Sequence, residues 1–240
     1  MDLERADPEH ANPKKANRQK ERMKEIFILR HGETEWNVEQ RMQGRMDSPL
    51  TRNGRSHADN NGKLLKRIAN VECLCVSPSG RTLETAYIVN SYLQAQFVTF
   101  DELMERDVGD WSGLTIADIE KHFPQAWVQR QDDPHGDRPP NGENLVDMLE
   151  RVRHVLDEIY ASDHFSVGIV THGVMSKVIL QYFLELNTAE TNAIKHPNNL
   201  VYRLTFNSDG IETHHFLDGA EAQRGLYKGE FTAEVTPLNS

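Results

Sequence analysis

The chain has 240 residues and a formal net charge of -10, with 38% apolar and 27% charged residues. That balance supports a sizeable core and excludes wholesale disorder, and the acidic surplus argues against a broad nucleic-acid-binding surface. No apolar run approaches the roughly 20 residues of a membrane span and the N-terminus lacks a signal-like apolar stretch, so a cytoplasmic protein with no membrane partner is expected.

Residues 1–24 carry no apolar periodicity, two prolines and many charges, and are expected to be a disordered extension; Met23 is a second candidate start. Ile26 to Leu29 form a short apolar strand that ends abruptly in Arg30-His31-Gly32. Such a strand is covered on both faces, and its carboxyl end is where ligands bind in open α/β sheets. A polar loop through Gln43-Gly44 leads to Thr51, a helix cap for a stretch reaching Ile68, although Gly54 and Gly62 weaken that helix. A second buried strand spans 72–77 and carries Cys73 and Cys75 on one face, where packing explains them better than a disulfide. It runs into Ser77-Pro78-Ser79-Gly80-Arg81 and a helix marked by Leu83, Ala86 and Leu93, followed by a third strand over 97–103 and then Glu105-Arg106.

A short helix carries Ile116, Ile119 and Phe123, and residues 131–142 read as a loop placed where substrate selectivity could reside. Leu145, Met148, Leu149, Val152, Leu156 and Ile159 trace a long amphipathic helix. Another buried strand, 166–170, ends in Thr171-His172-Gly173 and leads into a helix over 174–186. Two alternating strands, 200–206 and 211–217, can pair through Asn207-Ser208-Asp209-Gly210, and residues 218–240 read as a loose tail. With no internal repeat, this pattern predicts one α/β domain over 25–217: a three-layer α/β/α sandwich with a largely parallel, mixed sheet.

Parallel strands bring their carboxyl ends together, so Arg30, His31, Arg81, Glu105 and His172 are expected at one edge. Arginine forks match phosphate oxygens, a neutral imidazole can attack phosphorus, and a carboxyl can protonate the departing oxygen. His57, His122, His154, His196, His214 and His215 show no metal-ligand spacing and are expected to be solvated or capping, so no metal site is assigned.

Arg30-His31-Gly32-Glu33-Thr34, with Ser48-Pro49-Leu50-Thr51, Ser77 to Thr82, Glu105-Arg106 and Thr171-His172-Gly173 in order, resembles the histidine phosphatase superfamily, which includes the cofactor-dependent phosphoglycerate mutases. The resemblance implies a phosphoglycerate mutase-like fold with His31 as the nucleophile that becomes phosphohistidine. It further implies that Arg30, Arg81 and His172 hold the phosphoryl oxygens, that Glu105 is the general acid and base, and that Asn37, Gln43, Gly44 and Gly173 line the substrate pocket. The mutase group carries a lysine soon after the acid and adjacent arginines further on; here Ser112 to Asp118 has no lysine, and Trp127-Val128-Gln129-Arg130 has one arginine. The expectation is therefore a histidine acid phosphatase-type phosphoric monoester hydrolase acting without cofactor on a small-molecule phosphate ester, with a homo-oligomer compatible with the chain. A mutase and a noncatalytic phosphate-binding module are the alternatives.

Overall fold

The computed structural model describes residues 23–229. β1 (Lys24–Arg30) is followed by the short helix α1 (Glu35–Val38), then α2 (Arg52–Ile68), β2 (Cys73–Val76), α3 (Gly80–Leu93) and β3 (Gln96–Thr99). Two 3-10 turns, Asp101–Leu103 and Gly109–Trp111, and two helices, α4 (Ile116–His122) and α5 (Pro124–Asp132), lead to the long helix α6 (Leu145–Ala161). β4 (Ser166–Thr171), α7 (Gly173–Leu184), α8 (Thr188–Ala193), β5 (Leu200–Asn207), β6 (Gly210–Leu217) and β7 (Gln223–Arg224) complete the described chain. The strands form one seven-stranded sheet in the order β3-β2-β4-β1-β5-β6-β7. β3, β2, β4 and β1 run parallel, and β5, β6 and β7 pair antiparallel.

The alternation of β1 divides the core. Ile26 and Ile28 face a cluster with Met148, Val152 and Leu156 of α6 and Met175 and Ile179 of α7, whereas Phe27 and Leu29 face Leu64 and Leu65 of α2 and Ala86 and Val89 of α3. Each such side chain, wholly buried, contributes about 1.5–3 kcal/mol, and helices on both faces give the expected three layers. Cys73 and Cys75 pack on the α6 side as free, buried thiols. A smaller cluster of Val108, Trp111 and Ile119 holds together the segment between β3 and α6.

Several elements differ from the sequence expectation. The third strand ends at Thr99 rather than at 103: the Phe100 N–H makes a last bond to Val76, and the chain then winds through Leu103 N–H to Phe100 O. α5 fills the interval after the expected short helix and takes the first two residues of the expected 131–142 loop, started by Pro124 at its first turn and anchored by Trp127 against Trp111 at 5.8 Å. Lys24 already belongs to β1, while residues 1–22, and 230–240 of the expected tail, lie outside the described residues. Residues 218–229 add β7 and return Tyr227 to the core, where its carbonyl accepts from Lys195 N–H at 3.0 Å.

α2 runs unbroken through its glycines because they are points of close approach. A Cβ on Gly54 would lie 2.0 Å from Glu33 O, and one on Gly32 would lie 2.2 Å from Gly54 O. The first turn of α2 is thus pressed backbone to backbone against the loop that follows His31. Gly54→Ala should destabilise the protein by about 1–3 kcal/mol in urea unfolding, despite alanine's better helix propensity, and a stabilised variant would contradict this packing.

His196, before β5, is 4% exposed and its ring packs on Tyr202 at 4.9 Å. Its Nε2 lies 2.9 Å from Leu200 O, and because a carbonyl only accepts, Nε2 carries the proton. Burial holds the imidazole neutral, with its pKa lowered to about 3. A pKa depressed on folding contributes stability above the unfolded value, about 6.5, that is lost as pH falls toward 3. Each pH unit within that window removes about 1.4 kcal/mol for this group. The urea midpoint should fall steadily from pH 7 to pH 5, and His196→Gln should flatten the slope; an unchanged slope would contradict the assignment.

Candidate active site

The sheet register assembles the site. β1 pairs with β4 so that Arg30 faces Thr171, and β2 pairs with β4 so that Val76 faces Val170. The residues just past those pairs, His31, His172 and Ser77, therefore emerge side by side at the carboxyl edge. The His31 and His172 rings stand 5.4 Å apart, edge to face, and both are buried.

His31 is fixed from several directions. Its N–H donates to Thr171 O at 2.9 Å, its carbonyl accepts from Asn198 Nδ2 at 2.7 Å, and the Gly32 N–H donates to Thr85 Oγ1 at 3.0 Å. Nδ1 lies 2.8 Å from Gly32 O, so Nδ1 is the protonated nitrogen and Nε2 keeps its lone pair. Burial first, then the Arg30 and Arg81 cations, hold its pKa well below the ordinary value, so the ring is a neutral imidazole. The same causes, burial and then Arg81, His31 and Arg30, lower His172. His172 Nε2 lies 2.8 Å from Ser77 Oγ, and its Nδ1 is buried without a protein partner. When Ser77 donates, Nδ1 carries the proton and becomes a free donor.

Arg30 and Arg81 supply fixed cations. Arg30 Nη1 donates to His196 O at 2.9 Å, and Gly173 packs flat on the guanidinium, where a Cβ would lie 3.3 Å from Cζ. Arg81, at the start of α3, donates from Nη2 to Gly44 O at 2.9 Å and from Nη1 to Met46 O at 2.6 Å and Asp47 Oδ1 at 3.0 Å. Gly44 adopts φ +52, a left-handed turn that suits glycine and presents its carbonyl to Arg81. Gln43 Nε2 donates to Thr34 Oγ1 at 2.8 Å and its Oε1 is buried without a partner. Asn37 is committed to the α1 cap, its Oδ1 accepting from Thr34 N–H at 3.1 Å.

Glu105 lies across the first turn of α7. Oε1 accepts from Met175 N–H at 3.2 Å and Arg106 N–H at 2.8 Å, and Oε2 accepts from Val174 N–H at 3.1 Å. Its loop is locked by Glu143, whose carboxylate pairs with Arg151 at 3.0 Å and accepts from Asp107 N–H at 2.9 Å. Ser77, Asn198, Thr85 and the Glu143–Arg151 pair were not singled out as site residues from the sequence. Ser77 lay inside a quoted motif, but the others are joined to the site only by contacts across the fold.

All five residues assigned to chemistry from the sequence thus meet at one edge. Arg30 Nε, Arg81 Nε and His172 Nδ1 are buried with no protein partner, clustered about a neutral His31. Unmet buried donors cost about 1–3 kcal/mol each, and an oxyanion is the group that satisfies several at once. Among the described residues no three His, Cys, Asp or Glu side chains are grouped to hold a metal ion, and no helix is long and apolar enough to cross a membrane.

The family model for the histidine phosphatase superfamily (branch 1) matches residues 26–219. The chain is 32% identical over 159 residues to "Uncharacterized phosphatase PhoE" of Bacillus subtilis, covering 66% of this chain and 76% of that protein. It is 31% identical over 187 residues to "Probable phosphoglycerate mutase GpmB" of Proteus mirabilis, covering 77% and 86%. Among solved structures, Bacillus stearothermophilus YhfR superposes with a TM-score of 0.71 at 33% identity, covering 78% of this chain and 93% of that one. A mycobacterial glucosyl-3-phosphoglycerate phosphatase complexed with VO3 superposes with a TM-score of 0.71 at 25% identity, covering 86% and 100%. Strand-end histidines, flanking arginines and these matches agree, and the chain belongs to branch 1 of the histidine phosphatase superfamily.

Proposed function

We propose that this protein is a metal-independent phosphomonoesterase that hydrolyses a small phosphorylated metabolite through a phosphohistidine on His31. The observation that carries this reading is the trio of unpartnered buried donors, Arg30 Nε, Arg81 Nε and His172 Nδ1, around an imidazole whose Nε2 lone pair is bare. The trio and the remaining arginine N–H groups hold the phosphoryl oxygens and balance their charge as the group moves, the role that dominates phosphoryl transfer. Nε2 attacks phosphorus, the P–O ester bond breaks, and Glu105 gives a proton to the departing alkoxide. Oε2, with a single amide partner, is the freer oxygen for that transfer. Water then attacks the phosphohistidine, Glu105 takes its proton, and inorganic phosphate leaves with His31 restored to neutrality.

The absent lysine over 112–118 and the single Arg130 favour hydrolysis over mutase chemistry, for which the similarity to the probable mutase of Proteus mirabilis speaks. A panel of phosphate esters assayed in excess chelator tests the proposal. Wild type should release phosphate from some of them, and His31→Ala should lose about 10³-fold or more in kcat/KM. Glu105→Gln should slow alkyl esters by about 10²-fold or more while affecting p-nitrophenyl phosphate, whose leaving group needs no proton, far less. Undiminished turnover by His31→Ala, or loss on chelation, would overturn the proposal; bisphosphoglycerate-dependent isomerisation without phosphate release would put a mutase in its place.

A further inference from the structure

At the end of the sheet opposite His31 the protein carries a second concave surface. A groove of about 520 Å³ opens where the last turns of α6 and α7 meet the β5–β6 turn. Tyr160, Tyr182, Phe183 and Phe206 give it four aromatic rings, and its two charged lining residues, Asp157 and Glu185, are both acidic. The rings pack on one another, Tyr160 on Phe206 at 4.9 Å and Phe183 on Phe206 at 5.4 Å, yet Tyr160 keeps 48% of its surface exposed. Asp157 accepts from the Tyr182 O–H, and Glu185 caps α7 and is exposed. Among the described residues neither carboxylate has a cation within 4.0 Å.

An aromatic floor with a carboxylate rim suits a cationic occupant. Guanidinium and ammonium groups are drawn to ring faces, their alkyl stems cover apolar surface, and their heads pair with carboxylates. Lys24 already does the first of these at the margin of the groove. Its Nζ stands 5.7 Å from the centre of the Tyr160 ring and donates to Tyr160 O at 2.6 Å and to Ser162 O at 3.0 Å.

The chain itself delivers further cations to this place. In the antiparallel pairing of β1 with β5, Lys24 opposes Phe206, so the residues before β1 join the fold beside Phe206 and Asn207, two residues of the groove wall. Side chains two apart share a strand face, so a strand continued backwards keeps Arg22 on the side of Lys24, Ile26 and Ile28, which is the side of α6 and α7. Residues 14–22, outside the described residues, hold Lys14, Lys15, Arg18, Lys20 and Arg22 against one carboxylate, Glu21, in a chain whose net charge is -10. A second copy would bring a mainly acidic body to this acidic rim, whereas the segment brings the opposite sign. At about 3.3 Å per residue it also has the reach to cross the groove.

We propose that residues 14–22 dock in this groove, their arginines and lysines lying on the aromatic rings and pairing with Asp157 and Glu185. The segment is then an intramolecular partner of α6 and α7 at the end of the sheet remote from His31. This inference does not depend on the phosphomonoesterase reading.

Trypsin digestion of the full chain, followed by mass spectrometry, tests it. The bonds after Lys14, Lys15, Arg18 and Lys20 should be cut about tenfold or more slowly than the same bonds in a free peptide of residues 11–24. The double variant Asp157→Asn, Glu185→Gln, whose exposed side chains leave the core intact, should lose most of that protection, and so should wild type in about 0.5 M salt. Carbodiimide coupling of a mixture of ¹⁴N and ¹⁵N protein should join Lys14, Lys15 or Lys20 to Asp157 or Glu185 in isotopically pure pairs. Cleavage at the peptide's rate, or protection that the double variant retains, would overturn the proposal. Isotopically mixed pairs would also overturn it, by making a second copy the occupant.

Discussion

The parallel pairing of β1 with β4 is the constraint on which the site depends. Opposing Arg30 to Thr171 places His31 beside His172, because parallel neighbours end at the same edge and their next residues share one environment. A one-residue slip would turn Ile26 and Ile28 to the opposite face and carry the catalytic candidates away from one another. The core and the site are therefore specified by one register. The contact of Gly32 with Gly54 then fixes where the chain turns after His31.

That edge is electrostatically unusual. The Arg30 and Arg81 guanidiniums and two imidazoles are buried together, with one carboxylate, Asp47, on Arg81 and a second, Glu105, tied to backbone amides. Burial and then the cations keep both rings neutral, which leaves His31 Nε2 able to attack and His172 Nδ1 able to donate. Desolvated cations short of counterions store an unfavourable energy that an arriving dianion relieves. Under the function proposed above, the arrangement that leaves these donors unmet is the one that holds a transferring phosphoryl group. An acidic chain with a locally positive floor also admits its anion selectively, since the cations there are held by carbonyls and by one outer carboxylate, Asp47.

Much of this was legible in the sequence, for identifiable reasons. Short apolar strands announce themselves, and Arg30-His31-Gly32 and Thr171-His172-Gly173 mark where two of them end. α6 follows from its apolar stripe. The third strand was overextended because Phe100 and Leu103 are as apolar as strand residues, yet they are buried by a 3-10 turn. α5 escaped notice because it gives only Ala126 and Trp127 to its apolar cluster rather than a regular stripe. Within the site, the supporting bonds were illegible: Asn198 reaches His31 across 167 positions, and Ser77 reaches His172 across 95. Asn37 was placed at the pocket by the resemblance alone, and the part of its side chain in the α1 capping box shows only in the structure.

The relatives include one named a phosphatase and one named a probable phosphoglycerate mutase, and on the proposed mechanism either activity of this chain would begin at a nucleophilic imidazole. The account therefore stands or falls on His31 Nε2. Rapid acid-free quenching during turnover of a ³²P-labelled ester, followed by peptide mapping, measures this directly. The account predicts an acid-labile, base-stable phosphoryl group on the peptide containing His31, attached at Nε2 and absent in His31→Ala. Label on another residue, or steady phosphate release from wild type with no labelled histidine under conditions that trap known phosphohistidines, would contradict it.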